Sequence, residues 1–280
     1  MEAYTGFARV YDIFMDNIPY EDWAAYLVSL LREYGIEDGL VLELGCGTGN
    51  MTRILSKYGY DMIALDNSEE MLMIARDKEV NEPLNILYLL QDMRSFELYG
   101  TVRAIVSICD SMNYVTDPED MLTVFKLVNN YLDPGGIFIF DMNTVHEYAD
   151  VMGERTIAEN REDCSFIWDN YYDEESRMNE YELSIFIRAD CGFKQGEKES
   201  RHAAKVEDQE VLAASDLDGG ELFVRYQEDH FERAYTLEEI KELLDEAGLR
   251  FVTAYEAFTR DPLRDDTERM YIIAREHGKG

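Results

Sequence analysis

The stretch that decides the fold is Val41-Leu-Glu-Leu-Gly-Cys-Gly-Thr-Gly-Asn50. Together with Leu40, its first residues read as a short apolar strand, and a helical pattern begins at Asn50. Between them, Gly45, Gly47 and Gly49 let the backbone turn sharply and bring amide groups close to a ligand without a Cβ in the way. The stretch therefore predicts strand, tight turn and helix, with the turn as a ligand-binding loop.

The same alternation continues on both sides of this stretch. Apolar runs predict further strands, and residues at helical spacing predict the helices between them. Strands that are apolar throughout and alternate with helices are typical of a parallel sheet covered on both faces. The predicted fold is a doubly wound α/β sheet, with strands at 40–44, 62–65, 85–90, 104–108 and 136–140 and helices at 20–34, 50–55, 69–76 and 118–131.

After Asp141 the pattern changes to alternating polar and apolar residues. Segments 164–172 and 178–187 predict an antiparallel hairpin, 221–231 another strand, and the polar stretch 191–220 a long loop. Residues 142–235 are therefore expected to form an inserted small antiparallel β layer beside a main domain made of 1–141 and 236–280.

The C-terminal part returns to the α/β pattern. Thr236-Leu-Glu-Glu239 is a capping-box signature that predicts a helix ending before Gly248. Two closing strands, 250–258 and 269–275, are joined by a short loop without a helix, so they should pair antiparallel.

The charge balance excludes several partners. The chain has 26 Lys and Arg against 59 Asp and Glu, a formal net charge of −33, yet 46% of its residues are hydrophobic. Nucleic acids and anionic membranes draw most of their affinity from Lys and Arg, so both are disfavoured as partners. No apolar run is long enough to span a membrane, no signal peptide is visible, and the cysteines form no Cys-x-x-Cys pair, so a cytoplasmic protein without a metal site is expected.

Two acids follow the next strands of the predicted sheet. Asp66 ends the second strand, where it can accept hydrogen bonds from both hydroxyls of a ribose, and Asp92 with Met93 follows the third, suited to an adenine. The glycine spacing is G-x-G-x-G, and Asn50 stands where a dinucleotide fingerprint needs glycine. The positions therefore predict an adenosine ligand and disfavour a nicotinamide dehydrogenase.

The successive motifs resemble those of class I S-adenosylmethionine-dependent methyltransferases. The resemblance covers the sheet domain and is carried by Val41–Asn50, Ala64-Leu-Asp-Asn-Ser-Glu-Glu-Met-Leu72, Gln91-Asp-Met93, Cys109-Asp-Ser-Met-Asn-Tyr114 and Leu132–Asp141. The opening Phe7-Ala-Arg-Val-Tyr-Asp-Ile-Phe-Met15 is similar to a bacterial small-molecule subgroup that includes nucleotide-sugar N-methyltransferases. The resemblance implies S-adenosylmethionine as cofactor, with contacts from Tyr11, Tyr20, Glu43, Gly45, Cys46, Gly47, Gly49, Asp66, Asn67, Asp92, Met93 and Cys109.

The implied reaction requires few catalytic groups from the protein. Methyl transfer from a sulfonium is an in-line displacement that needs alignment and exclusion of water but no metal. Tyr11 and Tyr20 are candidates for cation–π contact with the sulfonium, and Tyr11, Asp141 and His230 are candidate catalytic groups that could take a proton from an amine or hydroxyl acceptor. A small-molecule acceptor is expected; a tRNA or protein methyltransferase and a non-catalytic cofactor-binding regulatory module remain as alternatives.

Overall fold

The computed structural model describes residues 7–189 and 221–279, which form two sheets. The larger sheet has the strand order β10-β11-β5-β4-β1-β2-β3, and the smaller one has the order β6-β7-β8-β9. The strands are β1 Gly39–Leu44, β2 Tyr60–Asp66, β3 Leu87–Leu90, β4 Val102–Ser107, β5 Leu132–Asn143, β6 Arg155–Asn160, β7 Cys164–Asp173, β8 Met178–Arg188, β9 Phe223–Arg233, β10 Leu249–Glu256 and β11 Arg269–Glu276. The α-helices are α1 Ala8–Phe14, α2 Tyr20–Glu33, α3 Asn50–Lys57, α4 Glu69–Asn81, α5 Pro118–Tyr131 and α6 Leu237–Glu246.

The larger sheet is mostly parallel and confirms the predicted fold class. Strand β1 pairs in parallel with β2 and β4, and the parallel pairing extends from β2 to β3 and from β4 to β5. The C-terminal strands β10 and β11 pair antiparallel with each other, and β11 pairs antiparallel with β5, as the short connecting loop predicts. Because the chain moves outward in both directions from β1, the strand order reverses at β1 and β4, where ligands bind in sheets of this kind.

Burial on both faces explains the continuous apolar strands. In β1, Val41 enters one hydrophobic cluster, and Leu42 and Leu44 enter the cluster on the opposite face. Residues of α2, α3 and α4 cover the first face, while those of α5 and α6 cover the second. An alternating strand would have placed polar side chains in one of these clusters, and each of them would have needed a buried hydrogen-bond partner.

Local signals set where several helices begin. The side chain of Ser68 accepts a hydrogen bond from the Met71 amide before α4, and Asp117 accepts one from the Glu119 amide before α5. At α6, Thr236 and Glu239 form the predicted capping box. Helix α4 runs to Asn81, beyond the predicted end at residue 76, and β5 is also longer than predicted.

The smaller sheet contains the predicted hairpin, in which Cys164 pairs with Ile187 and Asp173 with Met178. Its inner face packs on α1, where Val10 and Phe14 meet Leu183 and Ile185 in a third hydrophobic cluster. The loop predicted over residues 191–220 lies outside the described residues. The strand predicted after it, at 221–231, is present as β9. In the part of the chain that is described, no helix combines the length and apolarity needed to cross a membrane.

A buried charge network links β5 and the turn after β4 to the antiparallel strand β11. Asp141 of β5 is fully buried, and its carboxylate accepts hydrogen bonds from the amides of Cys109 (3.2 Å) and Asp110 (2.8 Å), which follow β4. Arg269 of β11 donates to Asp141 and to the Asp110 carboxylate, each at 2.9 Å. Both Cys109 and Asp110 have positive φ, so this network holds a turn that non-glycine residues adopt reluctantly.

We expect Arg269→Met to lower the free energy of unfolding by about 3 kcal/mol, because it leaves the Asp141 carboxylate buried without its cation. The matched control is Arg264→Met, which removes an exposed guanidinium paired with Glu256 and Asp266 and should cost less than about 1 kcal/mol. Urea denaturation measures both values. Equal values for the two variants would contradict the structural role of the network.

Candidate functional site

A cavity of about 600 Å³ opens at the carboxyl ends of β1 to β4. Every predicted cofactor contact except Gly49 lines it, and so do residues that were not predicted as cofactor contacts, among them Thr48, Asn50, Ser68, Ser111 and Tyr114. Among the described residues lining the cavity none is lysine or arginine, while the acids are Glu43, Asp66, Glu69, Glu70 and Asp92. The cavity is therefore electronegative.

The glycine loop has the conformation that its sequence predicts. Gly45, Gly47 and Gly49 have φ values of 71°, 52° and 77°. A Cβ on Gly45 would lie 2.7 Å from the side chain of Ser111, whereas one on Gly47 would meet no atom within 4 Å. Gly49 does not line the cavity. A Cβ at this position would lie 2.6 Å from the hydroxyl of Tyr88, so the glycine allows the start of α3 to pack closely against its neighbours.

Asp66 ties this loop to the end of β2. One carboxylate oxygen accepts a hydrogen bond from the Gly47 amide and the other from the Ser68 amide, both at 2.8 Å. Burial raises the pKa of Asp66, and the backbone amides that donate to it act in the opposite direction. Each oxygen has a second lone pair, so the carboxylate can hold the loop and still accept hydrogen bonds from a ligand.

Glu43 lies at the floor of the cavity and is 2% exposed. Its Oε2 accepts a hydrogen bond from the Thr52 hydroxyl of α3. Burial raises the pKa of Glu43 to about 8, and the negative charge of Asp66 adds to the rise. Much of this carboxyl is therefore neutral near pH 7.

Asp92 is held by its neighbour Arg94. The guanidinium contacts both carboxylate oxygens, the closer nitrogen at 2.6 Å, and also reaches Asp120 at 3.1 Å. The hydrogen bonds from Arg94 keep the pKa of Asp92 below its ordinary value. Asp92 is thus an ionised acceptor beside the apolar side chain of Met93, both at the cavity wall.

The N-terminal segment crosses the glycine loop, and this contact was not predicted from the sequence. Asp12 of α1 accepts hydrogen bonds from the Thr48 hydroxyl (2.7 Å) and from the Asn50 amide group (3.0 Å). Lys78 of α4 lies 2.6 Å from Asp12 and also donates to Asn50 Oδ1 at 2.6 Å. These contacts bring Tyr11 and Tyr20 to the cavity, where burial raises the pKa of the Tyr20 phenol.

Of the two cysteines in the cavity wall, Cys46 is buried and Cys109 is half-buried. Burial raises the pKa of both Cys46 and Cys109 well above the ordinary value, and nearby carboxylates add to the effect. A neutral thiol is a weak nucleophile, so these side chains pack in the wall rather than react.

Two of the three candidate catalytic residues lie away from the cavity surface. Asp141 is engaged by two amides and Arg269, and burial raises its pKa. His230 is 1% exposed in β9, and its Nδ1 lies 3.1 Å from the hydroxyl of Tyr114, which does line the cavity. Tyr11 is the candidate that reaches the cavity directly. The spacing of the sequence gave no sign of the pairing between Tyr114 and His230, because 116 positions separate them.

The comparisons with known proteins agree with this geometry. Residues 41–136 match the family model described as a methyltransferase domain. The chain is similar to the protein named methyltransferase YqeM from Bacillus subtilis (strain 168), with 30% identity over 273 residues that cover 97% of this chain and 96% of the relative.

Solved structures show the same fold over nearly the whole chain. An S-adenosylmethionine-dependent methyltransferase from Clostridium acetobutylicum ATCC 824 is 26% identical, with a TM-score of 0.78 and coverage of 99% of this chain and 100% of that one. CalS10, an amino pentose methyltransferase from Micromonospora echinaspora, is 16% identical, with a TM-score of 0.67 and coverage of 95% and 96%. By its sequence match and its fold, this chain belongs to the S-adenosylmethionine-dependent methyltransferases.

Proposed function

We propose that this enzyme transfers a methyl group from S-adenosylmethionine to an amine or hydroxyl of a small molecule by in-line displacement. The observation that carries the proposal is the cavity, which combines the glycine loop and the acids after β2 and β3 with the phenols of Tyr11, Tyr20 and Tyr114. Its volume of about 600 Å³ lies in the range of small-molecule sites.

The residues of the cavity fit this cofactor. In the proposed assignment Glu43, Gly45, Cys46 and Gly47 contact the methionine part, Asp66 and Asn67 the ribose, and Asp92 and Met93 the adenine. Cys109 is a proposed cofactor contact beside Tyr20. Gly49 acts by shaping the loop. The open side of Gly47 leaves room for close approach, and the acidic wall suits the ammonium and sulfonium of the cofactor. A pyrophosphate would meet no lysine or arginine among the described lining residues, which disfavours a dinucleotide.

When bound, S-adenosylmethionine supplies a methyl group that is already activated on a sulfonium. The protein then has to hold the acceptor in line with that methyl group and exclude water. The phenol faces of Tyr11 and Tyr20 are proposed to attract the sulfonium by cation–π contact, worth about 0.5–2 kcal/mol. Neither the loop nor the two acids need a metal for this role.

The acceptor is proposed to enter beneath the smaller sheet. Residues 1–141 and 236–280 form the proposed cofactor domain, and 142–235 form the proposed substrate side, since the inner face of β7 to β9 packs on α1 beside the cavity. The name of CalS10 as an amino pentose methyltransferase supports an amine on a small polar molecule. The net charge of −33 supports the choice of a small molecule over a nucleic acid.

A methyl-transfer screen tests this function. The purified protein is incubated with S-adenosylmethionine and a panel of small amines, amino sugars and hydroxyl compounds, and formation of S-adenosylhomocysteine is followed by mass spectrometry. We expect acceptor-dependent formation of product. Binding of S-adenosylmethionine without turnover on any member would favour the non-catalytic regulatory module, and turnover only with tRNA or protein would replace the small-molecule proposal.

We expect Asp66→Ala to weaken binding of S-adenosylmethionine by about 1–3 kcal/mol, because the hydrogen bonds to the ribose and the link to the Gly47 amide are both lost. Isothermal titration calorimetry measures the dissociation constant. The matched control is Asp61→Ala, which removes an exposed aspartate from the same strand and should leave the affinity unchanged. Unchanged affinity in Asp66→Ala would refute the ribose assignment.

We expect the affinity for S-adenosylmethionine to rise with pH from 6 toward about 8 and then to level off. The raised pKa means that Glu43 is protonated at the lower end of this range, and a cationic ligand favours its ionised form, so binding releases a proton. S-adenosylhomocysteine lacks the sulfonium and should show a weaker rise. Calorimetry on Glu43→Gln should give a flatter pH dependence, whereas the wild-type slope in this variant would assign the effect to another group.

A further inference from the structure

A buried chain of polar side chains leads from the cavity into the smaller sheet. The hydroxyl of Tyr114, in the 3-10 helix Ser111–Tyr114 after β4, lies 3.1 Å from Nδ1 of His230 and 2.6 Å from the hydroxyl of Tyr181. On the far side of the imidazole, Nε2 lies 3.4 Å from a carboxylate oxygen of Glu228, an electrostatic contact that does not have hydrogen-bond geometry. Tyr114 lines the cavity, whereas the side chains of His230 and Glu228 are fully buried.

The surroundings hold the imidazole in one orientation. The ring of Tyr181 stacks on His230 with centroids 4.6 Å apart and an angle of 7° between the planes, and Trp168 stacks on Tyr181 with centroids 4.2 Å apart. Glu228 is fixed in turn, because its other oxygen accepts a hydrogen bond from the Phe7 amide at 3.0 Å. Burying an imidazole and a carboxylate in a sheet is costly, and hydrophobic residues would pack there at lower cost. The retained order of carboxylate, imidazole and hydroxyl is the arrangement that transfers protons in enzymes.

We propose that Tyr114 is the catalytic residue that takes the proton of the methyl acceptor and passes it to His230, which Tyr181 orients by stacking and whose charge Glu228 balances. This inference rests on the proposed function and adds the route of the proton to it. The tautomer that satisfies both contacts carries its proton on Nε2, facing Glu228, and leaves Nδ1 to accept from the Tyr114 hydroxyl.

The lone pair of the acceptor nitrogen or oxygen forms a bond to the methyl carbon, while the carbon–sulfur bond breaks and its electron pair stays on sulfur. The proton that the acceptor gives up moves to the oxygen of Tyr114 as the proton of that phenol moves to Nδ1 of His230. The imidazolium that results lies beside the carboxylate of Glu228, so no uncompensated charge is left in the sheet.

A spectroscopic experiment tests the chain without any acceptor. The four histidines of the enzyme are labelled with ¹⁵N, the complex with S-adenosylmethionine is formed, and the signal of His230 is identified by its absence from the spectrum of His230→Gln. We expect nitrogen shifts of the neutral tautomer protonated on Nε2, and a change in the Nδ1 shift in Tyr114→Phe. A proton on Nδ1, or an Nδ1 shift that Tyr114→Phe does not change, would overturn the proposal.

A kinetic experiment tests the consequence for catalysis, on the acceptor that the wild type uses best. Tyr114→Phe and His230→Gln should each lower kcat by about 100-fold, with little change in KM and in the calorimetric affinity for S-adenosylmethionine. The controls Tyr172→Phe and His146→Gln remove a half-buried phenol and a solvent-accessible imidazole that do not belong to the group of Tyr114, His230 and Glu228. Both controls should keep wild-type turnover.

The outcomes separate this proposal from the proposed function. A wild type that turns over an acceptor while both variants keep its kcat would overturn the proton route and leave the function intact. A wild type that methylates nothing in the panel would contradict the small-molecule function. The tautomer of His230 would then still show whether the proposed contact between Tyr114 and His230 is present. Variants that lose affinity for S-adenosylmethionine together with kcat would show a structural role and would also overturn the proposal.

Discussion

The hydrogen bonds from backbone amides to the Asp66 carboxylate are the interaction on which the site depends. Gly47 and Ser68 belong to turns after two neighbouring parallel strands, and Asp66 draws both amides to one point at the sheet edge. The loop can come that close only because Gly45 and Gly47 adopt positive φ values. The geometry of the cavity thus follows from one acid at a strand end and from the glycines at positions 45 and 47 of the facing loop.

A second carboxylate, on the other side of β1, also holds a turn by accepting hydrogen bonds from backbone amides. Asp141, near the end of β5, accepts hydrogen bonds from the amides of Cys109 and Asp110, and Arg269 balances its charge. This turn leads directly into the 3-10 helix that presents Ser111 and Tyr114 to the cavity. Asp141 therefore positions the wall next to the glycine loop. Its three hydrogen bonds leave it poorly suited to proton transfer.

The cavity is lined by acids, in keeping with the large negative net charge of the whole chain. The acids that line the cavity face no lysine or arginine among the described lining residues, and two of them, Glu43 and Asp66, have pKa values raised by burial. A cationic ligand would relieve this electrostatic strain, whereas a polyphosphate would increase it. The charge that first disfavoured nucleic acid as a partner thus also favours a sulfonium cofactor.

Much of the fold could be predicted because its signals are local. The apolar strands, the glycine loop and the Thr236 capping box each lie within a few residues, and the structure confirms them. Helix α1 and strand β6 were missed, since α1 is short and β6 is mostly exposed, so neither has a strong apolar pattern. The contacts of Asp12 with the loop and of Tyr114 with His230 depend on tertiary packing across long stretches of chain, and no spacing in the sequence encodes them.

If the cavity after β1, β2 and β3 holds the adenosyl cofactor, as we claim, a structure of the complex with S-adenosylhomocysteine will show the ligand there. The expected result is a ligand whose ribose hydroxyls donate to Asp66 and whose adenine lies against Met93 with its amino group toward Asp92. The thioether sulfur should lie in the part of the cavity that Tyr114 lines. A nucleoside bound elsewhere, or bound here without contact to Asp66, would contradict the claim.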